Sequence, residues 1–161
     1  MGAVTPFGLT VDRYWDGLIE GRSGITAISI FDATDFDVRI GGGIPNFDPE
    51  LCLDRRVVKR LDRYAQLALV ACDEAVRMSG LQCDREDPQR MAVIFGSGIG
   101  GLNELEQQFN RLVTKGPGKV SAFTIPKLMV NAASGNISIM YGAKGSSIAI
   151  SSACASATNA M

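Results

Sequence analysis

A chain of 161 residues with 46% hydrophobic content is long enough to enclose a core of its own. Its net charge of -1 offers no strong field for nucleic acid or an anionic membrane, and no apolar run reaches the length of a membrane span. Four cysteines without CxxC spacing, and no histidine at all, argue against a zinc site and against a disulfide framework; reduced thiols in a cytoplasm-like compartment are expected.

The opening "MGAVTPFGLTVDRYW" lacks the basic and apolar parts of a secretory signal, and Pro6 stands where a myristoylation signal wants Ser or Thr. Val11 to Glu20 reads as an amphipathic helix with Val11, Trp15, Leu18 and Ile19 on one face and Gly21 as its stop. Gly24 to Asn46 is loop-like with short extended pieces. One long helical region is expected from about Arg56 to Ser79, striped by Ala65, Ala68, Leu69, Cys72, Ala75 and Val76 and ended by Gly80. "MAVIF", Met91 to Phe95, reads as a short buried strand. A glycine turn follows, then a helix near Leu102 to Val113 with Leu102, Leu105, Phe109 and Leu112 inward. Pro126 suits the first turn of a further helix that ends before Gly142. "SSIAIS", Ser146 to Ser151, is the second clear strand. Strands alternating with helices argue an α/β layered fold. From Ser121 to Met161 the only charged residues are Lys127 and Lys144, so this stretch is expected to be covered, by its own domain or by a partner subunit.

Cys154 lies between that second strand and a helix start near Ala155. The first turn of a helix offers unpaired amide N–H groups and the positive end of a dipole, and both favour a thiolate over a thiol. A nucleophile can arise there without a neighbouring base, and the small residues Ala153, Ala155 and Ser156 leave room for a bulky acyl group. The competing reading is a buried structural cysteine. Cys72, on the inward stripe of its helix, belongs to that plainer kind, and nothing singles out Cys52 or Cys83.

Gly96, Gly98 and Gly101 form G-x-G-x-x-G between a strand and a helix, the local setting of a dinucleotide turn. The acidic residue about 20 positions on is missing, because that region reads "VTKGPGKVSAFTIP". A tight turn that lets backbones pass closely accounts for the glycines, with Ile99 as an apolar plug among them. "GPGK" is no phosphate loop, since Val120 follows Lys119. Arg56, Lys59, Arg60 and Arg63, at helical spacing, make a positive ridge: either a solvated face or a docking patch for an acidic partner.

Taken together, "VTPFG", "GRSGI", "RLDRYAQLALVACDEAV", "GSGIGGL" and "NISIMYGAKGSSIAISSACASATNAM" resemble the β-ketoacyl-acyl-carrier-protein synthases, the thiolase-like condensing enzymes, and among them the type II elongating branch. The resemblance runs along essentially the whole chain, residues 1–161, as the N-terminal portion of such a domain. It implies that Cys154 is the acylated nucleophile and its own N–H an oxyanion donor. It implies that Ile99 gates the acyl pocket, and that Arg56, Lys59, Arg60 and also Lys119 receive the acidic acyl carrier protein. The stretch at Phe123 and Thr124 would cross a homodimer interface to line the neighbour's pocket; the family often has an aromatic at the Thr124 position. No cofactor or metal is implied.

Two departures accompany the resemblance. The family begins with a strand ahead of "VTPFG", and it takes two histidines and a lysine from its second half to decarboxylate malonyl carrier protein. This chain has no histidine. It is therefore expected to be a fragment, inactive alone, lacking the first strand and the C-terminal half. The reaction expected of the whole enzyme is decarboxylative Claisen condensation on Cys154 in fatty-acid elongation. The alternatives are a polyketide ketosynthase and a non-catalytic interaction subunit; relatives of the last kind usually replace the cysteine.

Overall fold

Thr10 opens the first helix: its hydroxyl accepts the Arg13 amide at 3.3 Å, and α1 runs Val11–Ile19 until Gly21, at φ 65, turns the chain away. The computed structural model describes residues 1–161 and gathers them into two compact units, Met1–Cys52 with Val70–Gly80, and Leu53–Leu69 with Leu81–Met161. In the first unit a short antiparallel pair, β1 (Thr26–Ala27) and β2 (Ile40–Gly41), forms inside the loop-like stretch. The apolar face of α1 does not bury it. Trp15, Leu18 and Ile19 are exposed, and Gly17 is the buried residue of the helix. The reason is Phe7, whose ring lies so close to Gly17 that a Cβ there would meet its Cγ at 2.6 Å. Close backbone–ring contact, not the apolar stripe, seats this helix. Glu74 anchors it further, accepting the amides of Ala3 and Val11 at 2.8 Å each.

The long helix expected from Arg56 to Ser79 is two helices, α2 (Arg55–Lys59) and α3 (Arg63–Ser79). The break lies at Arg60–Asp62, where Leu61 and Asp62 turn inward. Asp62 is 5% exposed and serves two helices at once. One oxygen accepts the Tyr64 amide in the first turn of α3 at 3.3 Å, the other the Glu104 amide at 2.6 Å. An uninterrupted helix would forfeit both caps. Leu61, Ala65, Ala68 and Leu69 carry the expected stripe into the core, and Gly80 at φ 70 ends α3 as expected.

In the second unit β3 (Val93–Gly96) pairs in parallel with β4 (Ser147–Ile150), Val93 opposite Ser147 through Gly96 opposite Ile150. Between them run α4 (Leu102–Lys115), α5 (Thr124–Leu128) and α6 (Ala132–Tyr141), a helical crossover of the kind a parallel pair requires. Where one helix was expected after Pro126, α5 and α6 are separated at Met129–Asn131, and Tyr64 explains the joint: its hydroxyl donates to the Met129 carbonyl at 2.5 Å and the Val130 carbonyl at 3.3 Å. Burial pushes that phenol's pKa up, with the Asp62 charge adding to it, so it stays a donor. Helix α6 has no charged side chain and buries Ala132, Ala133, Ser134 and Ile137 before Gly142 caps it at φ 68.

Two expected burials are reversed in this unit. Strand β3, expected to be buried, is not enclosed: Ile94 stands exposed beside Ile148, its direct partner across the ladder. Helix α4 turns Leu102, Leu105, Phe109 and Leu112 outward and buries Glu104 and Gln108 instead. Both polar residues are engaged there, Glu104 with Lys127 Nζ at 3.2 Å and Gln108 Oε1 accepting the Ser121 amide at 2.9 Å. These inward bonds fix the rotation of the helix, and the apolar stripe is left facing out.

Candidate active site

Strand β4 delivers the chain into a tight turn, and Ala153 there has φ 49, the one non-glycine residue of the chain in left-handed backbone. That conformation costs an alanine about 1 kcal/mol or more and needs surrounding structure to impose it. Buried Ser156 does so: its hydroxyl donates to the Ala153 carbonyl at 2.7 Å and accepts the Ser152 amide at 2.9 Å. Asn159 adds a third tie, Nδ2 to Ser152 Oγ at 2.7 Å. Cys154 sits at the crest of this turn, within the 3-10 segment Ala153–Ala155 that leads into α7 (Ser156–Ala160). Its side chain is exposed. The strand–turn–helix position expected from the sequence is thus observed, and the buried-cysteine alternative is not. Cys52 is also exposed, in the other unit, and Cys83 is half-buried.

The glycine loop lies against that turn. A Cβ on Gly96 would fall on the backbone of Ser156 and Ala157, and Gly98 faces Ala153 with 3.6 Å to its carbonyl. Ser151 Oγ donates to the Gly98 carbonyl at 3.0 Å, and the Ser97 amide to the Ile150 carbonyl at 3.0 Å. The far side of the loop is equally close. Gly100, at φ 88, lies 2.7 Å at its notional Cβ from the Leu128 carbonyl; Gly101 abuts Lys127 and donates its amide to Leu128 O at 3.0 Å. Gly96, Gly100 and Gly101 are thereby explained by passage of one backbone past another, as the tight-turn reading expects, whereas Gly98 makes only ordinary contacts. Ile99, between the two anchored ends, is 64% exposed.

Thr124, half-buried, begins α5, its hydroxyl donating to Ser121 O at 2.7 Å. The same helix leads to the Leu128 carbonyl that holds the glycine loop, so Cys154, Ile99 and Thr124 lie on three successive, touching segments. Arg56, Lys59 and Arg60 are exposed on α2 and its C-cap, whereas Arg63 is half-buried at the start of α3. Asp54 caps α2 through the Arg56 amide at 2.7 Å. The Arg60 guanidinium stands over the Phe123 ring, 5.9 Å from its centre, so the ridge reaches the residue before Thr124. Lys119 is exposed in the 3-10 turn Pro117–Lys119. Sequence reasoning overlooked Asp62, Ser156 and the Glu104–Lys127 pair. Asp62 had a signal, an N-cap residue ahead of a helical pattern; the others had none, because their partners are remote in sequence or act through backbone.

A family model described as "Beta-ketoacyl synthase, N-terminal domain" matches residues 1–161. The chain belongs to the β-ketoacyl synthases. This synthase chain is 42% identical over 161 residues to a protein named 3-oxoacyl-[acyl-carrier-protein] synthase 2 from a Synechocystis species, covering 100% of itself and 39% of that relative. It is 43% identical over 154 residues to a protein of the same name from Vibrio harveyi, covering 96% of itself and 37% of the other. The chain therefore spans about two fifths of the length of the curated relatives it matches. Its fold is that of the solved ishigamide ketosynthase/chain length factor, with a TM-score of 0.81 at 24% identity over 93% of this chain and 38% of that one. The α/β layers expected from the alternating strands and helices are observed, and the thiolase-like synthase fold that the resemblance implies is that of the solved relative. No helix of the synthase chain is long and apolar enough to cross a membrane.

Proposed function

We propose that this chain is the acyl-holding part of a 3-oxoacyl-[acyl-carrier-protein] synthase of fatty-acid elongation, with Cys154 as its nucleophile. The observation that carries the reading is the exposed thiol on a strained turn whose backbone is pinned by Ser156; the names of the relatives supply the substrate class. In the first half-reaction the Cys154 thiolate attacks the thioester carbonyl of an acyl carrier protein. A new C–S bond forms, the carrier's thiolate leaves, and the Cys154 N–H serves the transient oxyanion. In the second, malonyl carrier protein loses carbon dioxide, and its enolate carbon takes the acyl group and expels the Cys154 thiolate. The 161 residues contain no histidine, and decarboxylation is assigned to none of them. Exposed free thiols at Cys52 and Cys154 suit a reducing, cytoplasmic setting. The test supplies acyl- and malonyl-carrier protein to the intact protein and follows the product by mass: a thioester on the Cys154 peptide and a 3-oxoacyl product two carbons longer are expected, and product without that adduct sinks the reading.

The acidic carrier is proposed to dock on Arg56, Lys59 and Arg60, with Lys119 as an outlying contact. Replacing the first three with alanine is expected to raise KM for acyl carrier protein about thirtyfold at low salt and much less at high salt, because a rim of charge governs encounter and is screened. Loading from a small acyl thioester should be unchanged; equal loss with both substrates would remove the ridge from docking. Pairing of two copies is proposed through the outward face of α4, where Leu102, Leu105, Phe109, Leu112 and Val113 are all exposed in one chain. Phe123 and Thr124 would then reach the neighbour's acyl pocket.

A further inference from the structure

Glu104 Oε1 is the one buried side-chain oxygen or nitrogen of the chain without a hydrogen-bond partner. Glu104 is 3% exposed in the first turn of α4, and its other oxygen meets Lys127 Nζ at 3.2 Å. A buried carboxylate with one oxygen unmet is an expensive way to hold two helices together. Neutral side chains of similar volume commonly serve stability as well or better, and the best-attested use of a buried ion pair is to fix register. Stability is thus a poor account of this pair, and its surroundings offer a better one.

Lys127 is also the residue whose carbonyl bounds Gly101, and the next carbonyl, Leu128 O, holds the Gly101 amide. Glu104 follows Gly101 by three residues. The ion pair therefore closes a small ring: out along α4 from Gly101 to Glu104, across to Lys127, and back through the backbone to Gly101. Asp62 fixes the α4 side of the ring through the Glu104 amide. The loop carrying Ile99 leaves this ring at Gly100, which is in left-handed backbone and packed against the Leu128–Val130 main chain. Its opposite end is held at Gly98 by Ser151.

We propose that Glu104 and Lys127 are positioning residues that latch the exit of the Ile99 loop and so set how long an acyl chain the site accepts. The pair touches no reacting atom. It acts by holding Gly100–Gly101 against α5, so that a long acyl chain must displace Ile99 against a fixed hinge. The length effect rests on the reading of Cys154 and Ile99 given above; the hinge itself does not.

The test replaces the pair together in the intact protein, Glu104→Gln with Lys127→Met, so that neither charge is left without its partner; if the double variant does not fold, Glu104→Gln alone serves, because the Lys127 side chain is 20% exposed and still reaches water. Amide exchange at residues 97–101 is expected to speed about tenfold while β3 is unaffected. The ratio of long-chain to short-chain loading on Cys154 is expected to rise about fivefold, and Lys127→Arg to keep the original ratio. Unchanged exchange overturns the proposal, as does a loss of loading equal at all chain lengths, which would mark the pair as structural only. If the unmodified protein loads no acyl group on Cys154, the reading of the site fails, and the exchange measurement decides the latch by itself.

Discussion

Replacing Cys154 with alanine is expected to abolish acyl loading of the protein and to lower the proposed condensation by about 10⁴-fold or more, the scale seen when a covalent nucleophile is removed. The size of the effect follows from geometry. The turn at Ala153–Ala155 presents one sulfur, and the residues around it are alanines and serines, none of which offers a comparable nucleophile. Cys154→Ser should recover little, since an alcohol oxygen is a far weaker nucleophile than a thiol sulfur. Cys52 is the natural control because it is also exposed. It follows the 3-10 turn Pro49–Leu51, with ordinary backbone and no glycine loop against it, so Cys52→Ala should load at the original rate. The measurement is intact-protein mass after exposure to an acyl carrier thioester, followed by mapping of the modified peptide. Undiminished loading of Cys154→Ala would displace the nucleophile from this turn.

The same region shows what the sequence could and could not disclose. Position along the chain was legible: small residues around Cys154 after an alternating run imply a strand, a turn and a helix start, and the turn is there. Glycine spacing was legible as close passage, although the two neighbouring backbones, at Ala153–Ala157 and at Lys127–Val130, are distant in sequence and could not be named. Inward and outward were the weakest inferences. For α4 the stripe Leu102, Leu105, Phe109 and Leu112 reads as a core face in the sequence, because amphipathicity locates an apolar side without saying what covers it. Within one chain the inward side is set by bonds that no periodicity records, Glu104 to Lys127 and Gln108 to the Ser121 amide. For α1 the deciding residue was Gly17, invisible to any hydrophobicity pattern yet the point where Phe7 fits. The two missed helix breaks share a cause. Asp62 and Tyr64 each make bonds to segments far along the chain, and those tertiary bonds outweigh local helix propensity at Arg60–Asp62 and Met129–Asn131.

Gly96→Ala should be the most damaging single-methyl substitution near the site, lowering stability by about 3 kcal/mol and disordering the Cys154 turn. Its backbone is ordinary, with no left-handed φ, so strain is not the reason. The added carbon would fall on the Ser156 carbonyl and the Ala157 amide, which are main-chain atoms and cannot swing aside as a side chain can. Ser156 is the residue whose hydroxyl holds Ala153 in its left-handed conformation. Displacing it releases the strain that presents the thiol, so reaction of Cys154 with iodoacetamide should change along with the melting temperature. Gly98→Ala supplies the contrast, because its new carbon would lie 3.6 Å from the Ala153 carbonyl, an ordinary contact, at a φ that alanine accepts. It should melt within about 0.5 kcal/mol of the original protein and keep its thiol reactivity. Equal melting of the two variants would mean that β3 and α7 are not in backbone contact at Gly96, and the account of how the turn is held would fail with it.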